Sequence, residues 1–104
     1  MVDNVRIAKA LSDPIRYQIM MMLVHGEAKC CKVTSEDGER VGLCNCEIMT
    51  ELGLIQSRVS YHMKELVDAG LVIEEPRGKW KHYFINTETV RAFMEQLNQD
   101  LGES

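Results

Sequence analysis

The sequence has no long apolar run, few prolines and no internal repeat. Its longest apolar stretch covers residues 19–24, whereas a helix that crosses a membrane needs roughly 20 apolar residues. Residues 1–14 lack the apolar core and the small-residue cleavage site of a secretory signal peptide. Two prolines and seven glycines are too few for a disordered chain. We therefore expect a folded protein that stays in the cytoplasm and does not enter a membrane.

Motifs of catalysis are also missing. No glycine-rich phosphate-binding loop occurs, and the three histidines match no metalloenzyme motif. Ser60 and His62 are two positions apart on a predicted helix, so their side chains point apart and form no nucleophile–base pair. We expect that the protein is not an enzyme.

Length and composition indicate one small domain. The 104 residues, of which 45% are hydrophobic, suit a single domain over residues 1–104. The formal net charge of −4 argues mildly against a nucleic-acid partner, but a net charge conceals local basic patches.

Apolar periodicity and capping residues predict a mainly helical fold with one β-hairpin. The predicted helices cover about residues 4–11, 14–25, 46–52, 57–68 and 87–101, and the predicted strands cover residues 71–75 and 80–85. Asp13 can cap the second helix, and Pro14 suits its first turn. Residues 27–43 show no sustained period, which predicts a thiol-bearing loop with room for a short strand near residues 32–34. A connection this long is usually functional or disordered.

The third and fourth predicted helices, with the hairpin that follows, have the order of a winged helix-turn-helix. A short turn with a glycine joins the two helices, and the hairpin has a basic tip. Outside its apolar face, the fourth helix carries side chains that donate to phosphates and base edges. These are Gln56, Ser57, Arg58, Ser60, Tyr61, His62 and Lys64, and the hairpin adds Arg77, Lys79 and Lys81, with His82 beside them. Either element alone fits an ordinary solvated surface, but their combination favours DNA binding.

Four cysteines fall within residues 30–46: Cys30, Cys31, Cys44 and Cys46. In a reducing compartment such thiols are ligands or redox groups rather than structural disulfides. Closely spaced thiols favour soft, thiophilic ions. Neither pair has the Cys-x₂₋₄-Cys spacing of structural zinc sites, so a closed Cys₄ zinc site is the second choice. Simple burial of four small thiols is a further alternative.

Helix geometry limits how Cys44 and Cys46 can bind one ion. Residues i and i+2 of a helix point about 200° apart, so both thiols cannot share an ion within a regular helix. We therefore expect residues 44–46 to be held out of the helix, or its first turn to unwind. Fixing this end would displace the fourth predicted helix, which packs on it. A coupling of about 1–3 kcal/mol between the ion site and that helix is enough for a switch.

Three segments of the sequence together resemble the ArsR/SmtB (arsenic-repressor) family of metal-sensing winged-helix repressors. They are KALSDPIRYQIMMML, LCNCEIMTELGLIQSRVSYHMKELVDAGLV and RGKWKHYFIN, and the resemblance covers about residues 5–97. It implies a dimeric winged helix-turn-helix, paired through its first and last helices, that releases operator DNA when metal binds. It also implies that the recognition-helix contacts are Gln56, Ser57, Arg58, Ser60, Tyr61 and His62.

The resemblance further implies the thiol site of the arsenic branch, in which Cys-x-Cys begins the first helix of the helix-turn-helix. The simplest pattern of that branch has a third cysteine where this chain has Met49. We expect Cys30 or Cys31 to supply the third thiolate for As(III) or Sb(III), whereas Cd or Pb could use all four cysteines. The extra N-terminal thiols of the Cd/Pb branch and the last-helix histidines of the zinc branch are absent.

Two rival functions use the same thiols. A redox-sensing repressor on this scaffold would form a disulfide between Cys44 and Cys46, or between the loop and the helix, and a helix N-terminus would activate such thiols. A thiol-rich metal buffer would not need the polar face of the fourth helix, which argues against it.

Overall fold

The structure, a computed structural model, describes residues 2–25, 32–34, 41–78 and 80–102. Its elements in chain order are α1 (Asn4–Leu11), α2 (Pro14–His25), β1 (Lys32–Thr34), β2 (Val41–Cys44), α3 (Asn45–Leu52), α4 (Gln56–Asp68), β3 (Val72–Arg77), β4 (Trp80–Ile85) and α5 (Thr87–Leu101). The predicted mainly helical fold with a β-hairpin wing, formed by β3 and β4, is confirmed.

Local capping determines where the first two helices begin. Asp3 accepts a hydrogen bond from the backbone amide of Arg6 at the start of α1. Asp13 Oδ1 accepts from the backbone amides of Ile15 (2.8 Å) and Arg16 (3.2 Å). These amides have no partner within the helix, so the carboxylate satisfies them. The predicted cap at Asp13 is confirmed.

The turn between α3 and α4 depends on Gly53. This residue ends α3 with φ +64°, a left-handed conformation that glycine adopts without a steric penalty. The amide of Leu54 donates to the carbonyl of Met49 and closes the turn. The second helix of the predicted helix-turn-helix then starts at Gln56, directly after Ile55.

The hairpin of β3 and β4 is part of a larger sheet than the sequence predicted, because the described residues form a four-stranded antiparallel sheet in the order β1-β2-β4-β3. Strand β1 coincides with residues 32–34, where the sequence left room for a short strand, whereas β2 overlaps the end of the segment predicted as a loop. Gly42 explains how β2 approaches β4 so closely: a Cβ here would overlap the Tyr83 carbonyl oxygen and the Phe84 ring. Three- and four-residue strands are too short to show a period.

The core lies between α1–α4 and the sheet. Its fully buried apolar side chains include Ile7, Ile19, Leu43, Ile48, Val59, Met63, Leu66 and Leu71. By contrast, α5 has no fully buried residue. None of the described helices combines the length and hydropathy needed to span a bilayer. Because Val59, Met63 and Leu66 of α4 lie in this core, the inner side of α4 is packed and its outer side faces solvent.

Candidate nucleic-acid interface and thiol site

The outer side of α4 carries the exposed polar residues that the sequence predicted, apart from His62. Because Val59, Met63 and Leu66 face the core, the opposite side of the helix is solvated. We define the α4 face as this set of exposed residues: Gln56, Ser57, Arg58, Ser60, Tyr61 and Lys64. All six come from the first two and a half turns of the helix, the end that helix-turn-helix proteins direct at base edges.

His62 does not belong to the α4 face, and the prediction that it is exposed was wrong. Its side chain is only 3% exposed, and its Nδ1 lies 3.2 Å from a terminal nitrogen of Arg16. The physical reason is helical periodicity, since position 62 is three residues after Val59 and four before Leu66, both of which are buried.

Burial and neighbouring charges keep His62 neutral. Removal from water lowers its pKa below the ordinary value of 6.5, and the positive charges of Arg16 and Arg58 lower it further. The carboxylates of Asp13 and Glu65 act in the opposite direction but do not reverse the shift. The imidazole therefore carries no charge at neutral pH.

Sequence reasoning missed Arg16. This residue is 8% exposed, and its Nε donates to the carbonyl of Ala10 at 2.8 Å. A second nitrogen lies 3.9 Å from the carboxylate of Asp13. The signal in the sequence was an arginine three residues after a capping aspartate, which places it in the first turn of α2.

Lysines from α4 and from the wing meet at a polar pocket of about 330 Å³. Lys64 lies 3.4 Å from Asp68, and Lys81 lies 3.6 Å from Glu74. Burial, with the charge and hydrogen bond of Glu74, raises the pKa of Tyr83, so the phenol stays protonated beside this pocket. Both lysines are mostly solvent-exposed and can turn towards an anion outside the pocket.

The remaining wing residues are only partly described. Lys79 and the side chain of Arg77 lie outside the described residues. Trp80, at the start of β4, is 47% exposed, so the described part of the wing presents an aromatic ring beside the exposed side chain of Lys81.

Cys44 and Cys46 lie together at the junction of β2 and α3. Cys44 ends the strand in an extended conformation (φ −83°, ψ 160°) and directly precedes the helix. Cys46 is the second residue of α3. The two are joined by a disulfide, with a Cα–Cα distance of 5.3 Å. Cys44 lies outside the helix, whereas Asn45 and Cys46 belong to its first turn. The expected exclusion of residues 44–46 from the helix concerns the ion-bound protein and stays a prediction.

The surroundings of this pair connect it to the sheet. Cys44 is 1% exposed and stands opposite His82 in the β2–β4 ladder, while His82 stands opposite Glu75 in the β3–β4 ladder. Glu47, in the first turn of α3, is 2% exposed. Its carboxylate lies at the end of the helix where the macrodipole favours negative charge.

Cys30 and Cys31 lie outside the described residues. Lys32, the next residue in the chain after Cys31, pairs with Leu43, the residue before Cys44. Among the described residues, no three cysteine, histidine or acidic side chains are grouped so as to hold a metal ion. The described part of the chain therefore brings two of the four predicted sulfur ligands together.

Comparisons with known proteins agree with this geometry. Residues 39–74, which include Cys44, Cys46 and the helix-turn-helix, match the sequence model "Bacterial regulatory protein, arsR family". The arsenical resistance operon repressor of Bacillus subtilis (strain 168) is 32% identical over 88 residues, or 85% of this chain and 70% of the repressor. The repressor of the same description from Staphylococcus xylosus is 34% identical over 95 residues, or 91% of this chain and 73% of that protein.

A solved structure supports the fold independently. It is the solution structure of a homodimeric winged helix-turn-helix DNA-binding domain, a possible ArsR-family regulator from Mycobacterium bovis. The two chains superpose with a TM-score of 0.64 at 24% identity, over 92% of this chain and 77% of the other. The similarity confirms the winged helix-turn-helix architecture.

Proposed function

Because this chain belongs to the arsR family of bacterial regulatory proteins, we propose that it is a cytoplasmic, homodimeric repressor that releases operator DNA on binding As(III) or Sb(III) through cysteine thiolates. We also propose that residues 1–104 form a single domain. The observation that carries the proposal is the meeting of Cys44 and Cys46 at the start of α3, the helix that packs against α4.

The α4 face supports operator binding. Arg58, Ser57 and Gln56 lie in its first turn, exposed and free of the core. Arginine can bind guanine and glutamine can bind adenine by paired hydrogen bonds, while hydroxyls serve phosphates or bases. With the wing placed beside it, the helix can enter the major groove while Arg77, Lys79 and Lys81 contact the backbone or the adjacent groove.

Apolar surface on α1, α2 and α5 supports pairing of two copies through the first and last helices. Asn4 Nδ2 donates to the carbonyl of Phe93 at 3.2 Å and ties α1 to α5. An apolar cavity of about 700 Å³ lies between α2, the end of β4 and α5. Soluble monomers rarely leave so much apolar surface in one region. The exposed apolar side chains here are Val5, Tyr17, Met21, Val24, Met94, Leu97 and Leu101.

The thiols support a trigonal metalloid site. After reduction, Cys44 and Cys46 present two thiols whose Cα atoms are 5.3 Å apart, which suits sulfurs that share one ion. As(III) takes three thiolates, so Cys30 or Cys31 supplies the third. The pairing of Lys32 with Leu43 favours Cys31, since its covalent neighbour is already beside the Cys44 strand.

The proposed switch follows from the position of the thiols. Metalloid bonds would tie the start of α3 to β2 and to the segment before β1. Since α3 packs against α4, a shift of α3 changes the separation of the two α4 helices in a dimer. A change in operator affinity of about 5- to 150-fold needs only about 1–3 kcal/mol of coupling.

The disulfide between Cys44 and Cys46 favours a second candidate function, a redox-sensing repressor. In that mechanism the two thiols lose two electrons and two protons to a peroxide, which is reduced to water. The helix start would then be fixed by the S–S bond instead of by a metalloid.

One titration separates the two candidates. The probe is a fluorescein-labelled duplex of about 30 base pairs, selected from a random library by the reduced protein and long enough for two half-sites one turn apart. We expect arsenite under strict reduction to lower the affinity by about 5- to 150-fold, measured by fluorescence anisotropy. Release by peroxide with no response to arsenite would assign the redox function instead.

A further inference from the structure

A buried polar contact connects the recognition helix to the first two helices. A terminal nitrogen of Arg16 on α2 lies 3.2 Å from His62 Nδ1 on α4, and the two residues are 8% and 3% exposed. The two residues are separated by 46 positions in the chain. This contact is the polar part of an otherwise apolar α2–α4 interface, to which Ile19, Val59 and Met63 contribute.

The chemistry of the contact fixes the protonation state of the imidazole. Arginine stays protonated and has only donors, so His62 Nδ1 must accept the hydrogen bond. An imidazole that accepts at Nδ1 is neutral and has its proton on Nε2. Within the described residues, Nε2 is buried without a hydrogen-bond partner.

Arg16 also contacts the end of α1 and the turn between α1 and α2. Its Nε donates to the carbonyl of Ala10 near the end of α1, and its guanidinium lies beside Asp13, which caps α2. A buried hydrogen bond has a defined direction. The chain of contacts from Ala10 through Arg16 to His62 therefore fixes how α4 is rotated against α2.

We propose that Arg16 and His62 are positioning residues for DNA binding, which hold the α4 face at the angle that the operator requires. The inference rests on the proposed function, and neither side chain contacts DNA. Protonation of His62 at Nδ1 would remove the acceptor and place a second positive charge against the guanidinium. Removal of the imidazole would leave a buried arginine without this partner.

The charges that face the imidazole come from the two sides of the interface. From the α1–α2 side these are Asp13 and Arg16, and from α4 itself they are Arg58 and Glu65. The pKa of His62 is lowered in the folded protein, so the unfolded chain binds this proton more readily. The contribution of His62 to stability is therefore complete above about pH 6.5 and is lost as the pH falls below it.

Two substitutions at one position test the proposal. His62→Asn keeps a carbonyl oxygen close to the Nδ1 position but cannot be protonated, whereas His62→Leu keeps the volume and removes the acceptor. The selected duplex described above is the probe, and Kd is measured by anisotropy from about pH 5 to about pH 8, across the range where histidine titrates. Denaturant unfolding at each pH establishes that every variant is folded.

We expect the wild-type Kd to rise about tenfold or more at acidic pH, and His62→Asn to abolish this dependence while binding within about threefold of wild type at neutral pH. His62→Leu, although folded, should bind about tenfold more weakly at neutral pH. His25→Asn, a change to an exposed histidine at the end of α2, is the matched control and should keep the wild-type pH profile.

Results that contradict this inference can be distinguished from results that contradict the proposed function. Equal Kd values for wild type and folded His62→Leu, or a pH profile that survives in His62→Asn, would overturn the inference and leave the proposed function intact. Failure of the wild-type protein to select or bind any duplex would overturn both. Nitrogen NMR of the free protein adds a readout without DNA, since a proton on Nδ1 at neutral pH would also contradict the contact.

Discussion

Replacement of Cys44 or Cys46 by serine is expected to abolish the release of operator DNA by arsenite and to leave DNA binding without arsenite unchanged. Serine preserves the size of the side chain but replaces a soft thiolate with a hydroxyl, which is a poor ligand for thiophilic ions. Loss of either sulfur leaves at most one ligand at the start of α3. The arsenite effect on Kd should fall from about 5- to 150-fold to no measurable change.

Met49→Leu is the matched control for the cysteine substitutions. Met49 is on the same helix, is half-buried, and occupies the position where the simplest arsenic pattern has its third cysteine. Leucine preserves the volume and packs in the same space, so the arsenite response should be retained. If Cys44→Ser and Cys46→Ser still leave DNA on arsenite addition, the site is elsewhere.

Arg58→Ala is expected to weaken operator binding by about 1–3 kcal/mol, the range for loss of one good arginine–base contact. Arg58 lies in the first turn of α4 and is exposed, so the substitution removes little from the core. Anisotropy with the selected duplex, at matched salt concentrations, measures the change in Kd.

Arg58→Lys distinguishes the two ways in which Arg58 can act. Lysine keeps the positive charge but cannot form the paired hydrogen bonds that arginine makes with guanine. If Arg58 reads a base, Arg58→Lys should lose most of the affinity that Arg58→Ala loses. If it contacts a phosphate, lysine should restore most of the binding, and Arg58→Ala should lower the salt slope by about 1. Unchanged affinity in Arg58→Ala would exclude the α4 face as the recognition surface.

Local signals explain why the helix boundaries were predictable. Asp13 and Pro14 mark a helix start by themselves, and Gly53 marks a helix end because few other residues adopt its backbone conformation. The convergence of Cys44 and Cys46 was predictable for a similar reason. Two residues that cannot meet inside a helix can meet when one of them precedes it.

Long-range contacts explain what the sequence did not reveal. Strand β2 pairs with β4 about 40 residues later in the chain, and the feature that permits it, Gly42 against Tyr83 and Phe84, involves no local pattern. His62 seemed to be a surface residue because it is polar. Its partner, Arg16, lies on another helix, so only the fold shows that a polar side chain can be buried there.

The most direct test of metalloid binding by the thiols is native mass spectrometry of the fully reduced protein after addition of arsenite. We predict a dimer that gains one arsenic atom per chain in place of three thiol protons, and the same experiment on Cys→Ser variants identifies the ligands. Uptake of zinc, cadmium or lead without uptake of arsenite would instead indicate a Cys₄ site. A reduced dimer that binds none of these ions would contradict the metalloid sensor and leave the disulfide as the switch.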